Sequence, residues 1–178
     1  MQPVAPKVLL SEERIRTRVR EMARTISSDH AGTGELYLVG VLRGSFIFLA
    51  DLVRRLSIPV RVDFLAMSAY PDGASHSGEV RLLLDLQAPI AGRHVLVVED
   101  IVDSGSTLRL LLETLRRRGP ASLSTCSLLR KPDRQRGDLR IDYVGFDIPD
   151  VWVVGYGLDL AGRYRSLPYI GTVDPSDR

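Results

Sequence analysis

The sequence predicts an α/β domain, a twisted and mainly parallel sheet flanked by helices. Two unbroken apolar runs, Val95-Leu96-Val97-Val98 and the stretch Glu35 to Leu42, suit strands buried on both faces, as parallel strands are. Each run is followed by a short glycine-containing loop and then by apolar residues at helical spacing. Strand and helix patterns alternate along much of the chain, which is the signature of the α/β class. The 178 residues are enough for one domain of about 100–200 residues with a real core, so residues 1–178 read as a single unit.

The elements follow in order. Ser11 to Ile26 reads as an amphipathic helix, with Ser11 as cap, Glu12 and Glu13 in the first turn, and Ile15, Val19, Met22 and Ile26 on the apolar face. Ser27 to Gly34 reads as a polar turn. Arg43-Gly44-Ser45 breaks the Glu35–Leu42 strand, and a helix follows with Phe46, Leu49, Ala50, Val53 and Leu56 inside. Val60 to Ala66 is the next strand. Ser68 to Gly78 is small, polar and glycine-containing, as loops are. Glu79 to Leu86 reads as a strand pairing with the one before it. Ala91-Gly92 turns the chain into the central strand, whose helix carries Leu108, Leu111, Leu112 and Leu115. Arg116 to Pro120 is a basic helix end with glycine and proline behind it, a stop signal. Ala121 to Leu129 is the next strand, ended by Arg130-Lys131-Pro132.

The stretch from Arg93 to Leu112 is the chemical centre of the chain. Two acids, Glu99 and Asp100, follow its strand, and Asp103-Ser104-Gly105-Ser106-Thr107 leads into its helix. Gly105 has no Cβ and lets the backbone approach a ligand. Ser104, Ser106 and Thr107 offer hydroxyls and amides at a helix start, where the dipole favours an anion such as phosphate. Glu99 and Asp100 would repel a phosphate, so they must face hydroxyls or a metal ion. Acids beside an anion nest fit a sugar phosphate with diol hydroxyls. The bland alternative is a plain βα-turn with Asp103 or Ser104 as helix cap. The buried run and the acid pair in front weigh against it.

The run Val97-Val98-Glu99-Asp100-Ile101-Val102-Asp103-Ser104-Gly105-Ser106-Thr107 resembles the phosphoribosyl pyrophosphate (PRPP) motif of type I phosphoribosyltransferases. In detail it is similar to the hypoxanthine-guanine phosphoribosyltransferase family, and the likeness spans roughly Lys7 to Gly171. It implies a core over about 35–145 and a small hood from the N-terminal segment and about 146–178. Leu42-Arg43-Gly44 resembles the pyrophosphate loop, with Arg43 where the family often has lysine, and the peptide before that residue can be cis. Ala69-Tyr70 falls at the start of the family's lid, with Ala69 in place of a serine. Lys131 matches a lysine that donates to the purine 6-oxo group; an ammonium carries donors only, so it disfavours the amino group of adenine. The block Asp147 to Asp159, leading to Arg165, resembles the hood. There Trp152 takes the place of an aromatic that stacks on the base, where the family more often has phenylalanine. Taken alone, Trp152 reads as a core aromatic. Val153 would offer backbone groups to the base edge. Asp159 lies on the purine side and matches a magnesium-binding acid, and Arg165 matches an arginine that reaches pyrophosphate.

The activity so implied is transfer of 5-phosphoribose from PRPP to N9 of hypoxanthine or guanine, giving the nucleotide and pyrophosphate. Asp103 would act at N7 as catalytic base or hydrogen-bond partner. Glu99 and Asp100 would hold the ribose hydroxyls, directly or through Mg²⁺, which makes Glu99, Asp100 and Asp159 the implied metal set. Ser104 to Thr107 would cradle the 5′-phosphate, and Arg43, Gly44 and Arg165 the pyrophosphate. The family also implies a homodimer or homotetramer. The rivals are a transferase-fold regulator that binds RNA and a xanthine-preferring transferase.

The 24 basic and 22 acidic residues give a net charge of +2, too balanced for a dedicated nucleic-acid binder. One cysteine, Cys126, rules out an internal disulfide and fits a reducing compartment. His30, His76 and His94 show no zinc-ligand spacing. No apolar run approaches the ~20 residues of a membrane span, so a cytoplasmic protein that contacts neither membrane nor nucleic acid is the default.

Overall fold

A computed structural model describes residues 5–68, 81–135 and 137–174. Among these residues nine strands, β1 (Lys7–Leu10), β2 (Leu36–Leu42), β3 (Val60–Ser68), β4 (Arg81–Leu84), β5 (His94–Val102), β6 (Ser122–Arg130), β7 (Tyr143–Asp147), β8 (Val153–Val154) and β9 (Ile170–Thr172), combine with three α-helices, α1 (Glu12–Asp29), α2 (Phe46–Val53) and α3 (Ser106–Arg116). Six strands form one sheet in the order β4-β3-β2-β5-β6-β7, and β1-β9-β8 form a second, small one. The large sheet is parallel except for the antiparallel β3–β4 pair at its edge.

The two faces are covered by different helices. Val95 and Val97 of β5 pack with Tyr37 and Val39 of β2 against Leu108, Leu111, Leu112 and Leu115 of α3. Leu96 and Val98 pack with Leu36 and Leu38 against α1 and α2, through Ile15, Val19, Phe48 and Leu52. Alternation of side chains along each strand therefore feeds two cores from one sheet. Leu10, Val153, Tyr156, Leu158 and Ile170, from the chain ends, join the α1–α2 core. No helix among the described residues is long and apolar enough to cross a membrane.

Several expected boundaries move. Helix α1 runs to Asp29, past Ile26 and into the expected polar turn. Ser27 is buried there, and its hydroxyl accepts from the Ser57 amide. Helix α2 stops at Val53 rather than Leu56, where a tighter turn from Arg55 N–H to the Leu52 carbonyl takes over. Strands β1, β7, β8 and β9 have no sequence periodicity long enough to read. Gly145 weakens the strand signal of β7 further, yet a Cβ there would lie 2.4 Å from the Leu128 carbonyl oxygen, so only glycine fits. The exposed edge of β7 is covered by Arg18 of α1, which donates to the Val144 and Gly145 carbonyls. Ala69 and Tyr70, expected in a lid, lie outside the described residues.

Asp63 fastens β3 to the chain entering β5. Its carboxylate is buried and accepts from Tyr37 Oη at 2.6 Å and from the amides of Gln87 and Phe64, each at 2.8 Å. Burial acts to raise its pKa, but these hydrogen bonds outweigh burial and hold the group below the usual carboxylate range. A depressed folded-state pKa gives stability that is present above about pH 4 and lost as pH falls through the folded value. Tyr37 is pushed up to about 12, first by burial and then by its bond to Asp63. Its contribution is present below about pH 10 and lost as pH rises through about 12. Urea unfolding at pH 7 and pH 3 should therefore show a smaller acid loss of stability in Asp63→Asn than in the unmodified chain; equal losses would remove Asp63 from the account.

Candidate active site

The parallel register carries the ends of β2, β5 and β6 to one edge of the sheet. The Lys131 amide donates to the Val102 carbonyl at 2.9 Å, joining the β6 and β5 ends, and the Ile148 amide donates to the Arg130 carbonyl at 2.9 Å. The loops at 43–45, 103–105 and 131–135 thus emerge together at the carboxyl ends of the strands, where open α/β sheets bind ligands.

Helix α3 begins at Ser106, and Gly105 is its cap residue at φ +80, past the expected Asp103 or Ser104; Ser104 Oγ accepts from the Ser106 amide at 3.4 Å. A Cβ at Gly105 would come within 2.6 Å of the far end of the Leu139 side chain, which can yield, so it is the φ angle that favours glycine. Ser104 Oγ lies 3.2 Å from Ser106 Oγ, and Ser106 and Thr107 are exposed in the first turn. Hydroxyls, amides and the positive helix end thus lie together at this turn, a setting that favours an anion.

Across from that turn the chain is pressed against itself. The Leu42–Arg43 peptide is cis. A Cβ at Gly44 would sit 1.5 Å from Asp100 Oδ2, and one at Gly157 would sit 2.0 Å from the Gly44 carbonyl oxygen. Gly157, at φ +103, belongs to the turn after β8. Arg165 donates from Nη1 to the Gly157 carbonyl at 2.6 Å and pairs through Nη2 with Asp159 Oδ1 at 2.7 Å. Asp159 Oδ2 accepts from the Gly162 amide at 2.7 Å. Asp51 of α2 accepts from Tyr156 Oη at 2.6 Å and also pairs with Arg54 and Arg55, so it ties this turn to α2.

Between these walls Glu99 is buried and Asp100 half-buried. Burial, with Asp100 beside it, pushes Glu99 well above the usual carboxylate range and so favours its protonated form. Asp100 is pushed up to about 6, by burial first, with Asp159 raising it further and Arg165 and backbone amides pulling it down. Among the described residues no three His, Cys, Asp or Glu side chains converge on one metal position. The expected set of Glu99, Asp100 and Asp159 therefore does not form a cage made by protein alone. The donors that remain, Asp100 and Asp159, fit the habit of Mg²⁺, which commonly takes one or two carboxylates and fills its octahedron with phosphate oxygens and water.

On the third side stands a ring of charges. Lys131 is buried; its Nζ lies 3.1 Å from Asp150 Oδ1 and 3.7 Å from Asp103 Oδ2. Arg134 Nε donates to Asp103 Oδ1 at 3.0 Å, and its Nη1 lies 3.6 Å from Asp150 Oδ2. Trp152 is 49% exposed, not the core aromatic its sequence context suggests. Val153 is buried in β8 opposite Thr172, and its side chain belongs to the core. Arg43 is exposed. Arg134, Asp150, Asp51 and Tyr156 were not legible as site residues. The one available signal was the alternation of charge in Lys131-Pro132-Asp133-Arg134, which reads as an ordinary polar loop.

The family profile of the phosphoribosyl transferase domain matches residues 7–160. The chain belongs to that family. A hypoxanthine phosphoribosyltransferase of Salmonella typhimurium is 48% identical over 168 residues, covering 94% of each chain. A hypoxanthine-guanine phosphoribosyltransferase of Mycobacterium avium is 51% identical over 173 residues, 94% of this chain and 85% of its own. The crystal structure of a hypoxanthine-guanine phosphoribosyltransferase from Bacillus anthracis superimposes at TM-score 0.90 with 44% identity, over 96% of this chain and 100% of that one. The phosphoribosyltransferase fold is thus shared. In this phosphoribosyltransferase the Gly157 contact should be indispensable. Gly157→Ala, placing a side chain at positive φ against the Gly44 carbonyl, should cost about 1 kcal/mol or more in urea unfolding. It should also lower turnover roughly 100-fold by displacing the 42–44 loop.

Proposed function

We propose that the chain is a purine-salvage enzyme that transfers 5-phosphoribose from PRPP to N9 of hypoxanthine or guanine, releasing pyrophosphate. The observation that carries this reading is the donor–acceptor pair at the β5 and β6 ends. A buried ammonium, Lys131 Nζ, stands 3.7 Å from the Asp103 carboxylate, beside the Ser104–Thr107 loop. The 6-oxo oxygen of a purine accepts and its N7–H donates, and the two are neighbours on one edge. Lys131 and Asp103 present the complementary donor and acceptor.

The residues then divide the work. Ser104, Gly105, Ser106 and Thr107 hold the 5′-phosphate. Glu99 and Asp100 hold the ribose hydroxyls. Arg43, Gly44 and Arg165 face the pyrophosphate, on which negative charge grows as the C1–O bond breaks. Asp103 takes the N7 proton as N9 bonds to C1. Asp100 and Asp159 would hold Mg²⁺, which supplies charge neutralisation to the leaving group. Trp152, half exposed, offers a face for the base; Val153 and Asp159 border it. We assign the core to about 35–145 and the hood to the N-terminal segment with about 146–178, in a cytoplasmic homodimer or homotetramer. The RNA-binding alternative gains nothing from the basic clusters: Arg118 is held by Asp85 in a two-pronged pair and Arg130 by Asp147.

A spectrophotometric assay of PRPP and Mg²⁺ with each of four purines should give product with hypoxanthine or guanine and none with adenine; preferred turnover of xanthine or adenine would overturn the reading. Asp103→Asn keeps shape and removes basicity, so kcat should fall roughly 100-fold or more with little change in the KM for PRPP. Lys131→Ala should weaken the preference for 6-oxopurines over adenine by about 10-fold or more, and an unchanged preference would show that another group reads O6.

A further inference from the structure

We propose that Arg134 and Asp150 are positioning residues that hold Lys131 and Asp103 apart, so that a purine edge can enter between them; the inference rests on the base-reading role just given to that pair. Four charges alternate around a closed ring, Arg134, Asp103, Lys131 and Asp150. Two of its contacts are hydrogen bonds, Arg134 Nε to Asp103 Oδ1 at 3.0 Å and Lys131 Nζ to Asp150 Oδ1 at 3.1 Å. The other two, Lys131 to Asp103 at 3.7 Å and Arg134 to Asp150 at 3.6 Å, are too long for hydrogen bonds and act as charge contacts.

That inequality matters. A buried ammonium and a carboxylate left alone would close to about 2.8 Å and satisfy each other. The donor and the acceptor needed by the base would then be spent on one another. Here each is drawn outward by a stronger bond to a flanking partner. Asp150 draws Lys131 back while leaving two of its three N–H donors outside that bond. Arg134 fastens one oxygen of Asp103 and leaves Oδ2 facing the gap. The holders are also well placed to stay put. Pro132 begins the short 3₁₀ turn Pro132–Arg134 that presents Arg134, and proline fixes φ there. Asp150 follows Pro149 at the end of β7, beside Trp152 and Val153. The ring has no net charge, so neither member of the reading pair is left uncompensated before the base arrives.

The test is kinetic, on Arg134→Ala, Arg134→Lys and Asp150→Asn in the full chain. Arg134→Ala and Asp150→Asn should each raise the KM for hypoxanthine roughly tenfold, because the released pair closes on itself and must be reopened. The KM for PRPP and the urea midpoint should stay within error. Arg134→Lys, which keeps the charge, should recover most of the loss. A hypoxanthine KM within twofold of the unmodified enzyme in both Arg134→Ala and Asp150→Asn would overturn the inference. So would a KM for PRPP that rises in step, because that pattern marks general damage to the site. An unmodified enzyme inactive toward every purine would instead sink the functional reading itself, which keeps the two failures distinct.

Discussion

The Asp100 carboxylate, Gly44 and Gly157 meet in this protein with no room for a Cβ at either glycine, and the site depends on that contact. The Asp100 side chain at the end of β5 lies against Gly44 behind β2, and the Gly44 carbonyl lies against Gly157 in the turn after β8. Each comes from a different part of the chain. Their contact fixes the distance between the acids, the 42–44 loop and the Asp159–Arg165 pair. Asp51 and Tyr156 fasten the same turn from behind through a 2.6 Å hydrogen bond.

Charge in the site is arranged by the same logic of enforced proximity. Glu99 is buried and Asp100 half-buried, and both are pushed upward in pKa, a state that costs folding energy and is kept where function uses it. Arg165 and Asp159 offset one another on the hood side. Lys131, Asp103, Arg134 and Asp150 offset one another on the base side. The opening at Ser106 and Thr107 carries a positive helix end with no acid in its first turn, which suits a phosphate.

The α/β class and both strand–loop–helix units were legible because their apolar runs are long and their periods unambiguous. The turn at Ser104 to Thr107 was legible as a helix start because glycine and hydroxyl residues just before an apolar helical period mark one. Periodicity failed for β1, β7, β8 and β9, which are two to five residues long and owe their pairing to tertiary contact. It misjudged Trp152, since an aromatic in an apolar run reads as core whether it faces in or out. It missed Arg134 and Asp150 for a deeper reason. They are ordinary loop charges in sequence, and their meaning arises only when the β5, β6 and β7 ends bring four charges into one ring.

The account stands on a single pocket gripping both ends of an activated pentose while a base waits beside it. A crystal structure with PRPP, Mg²⁺ and a non-reactive 6-oxopurine analogue tests that most directly. The predicted result has the 5′-phosphate on residues 104–107, the pyrophosphate between Gly44 and Arg165, and the purine O6 and N7 between Lys131 and Asp103. Density for the pentose phosphate elsewhere on the molecule, or a purine whose O6 edge points away from Lys131, would contradict it.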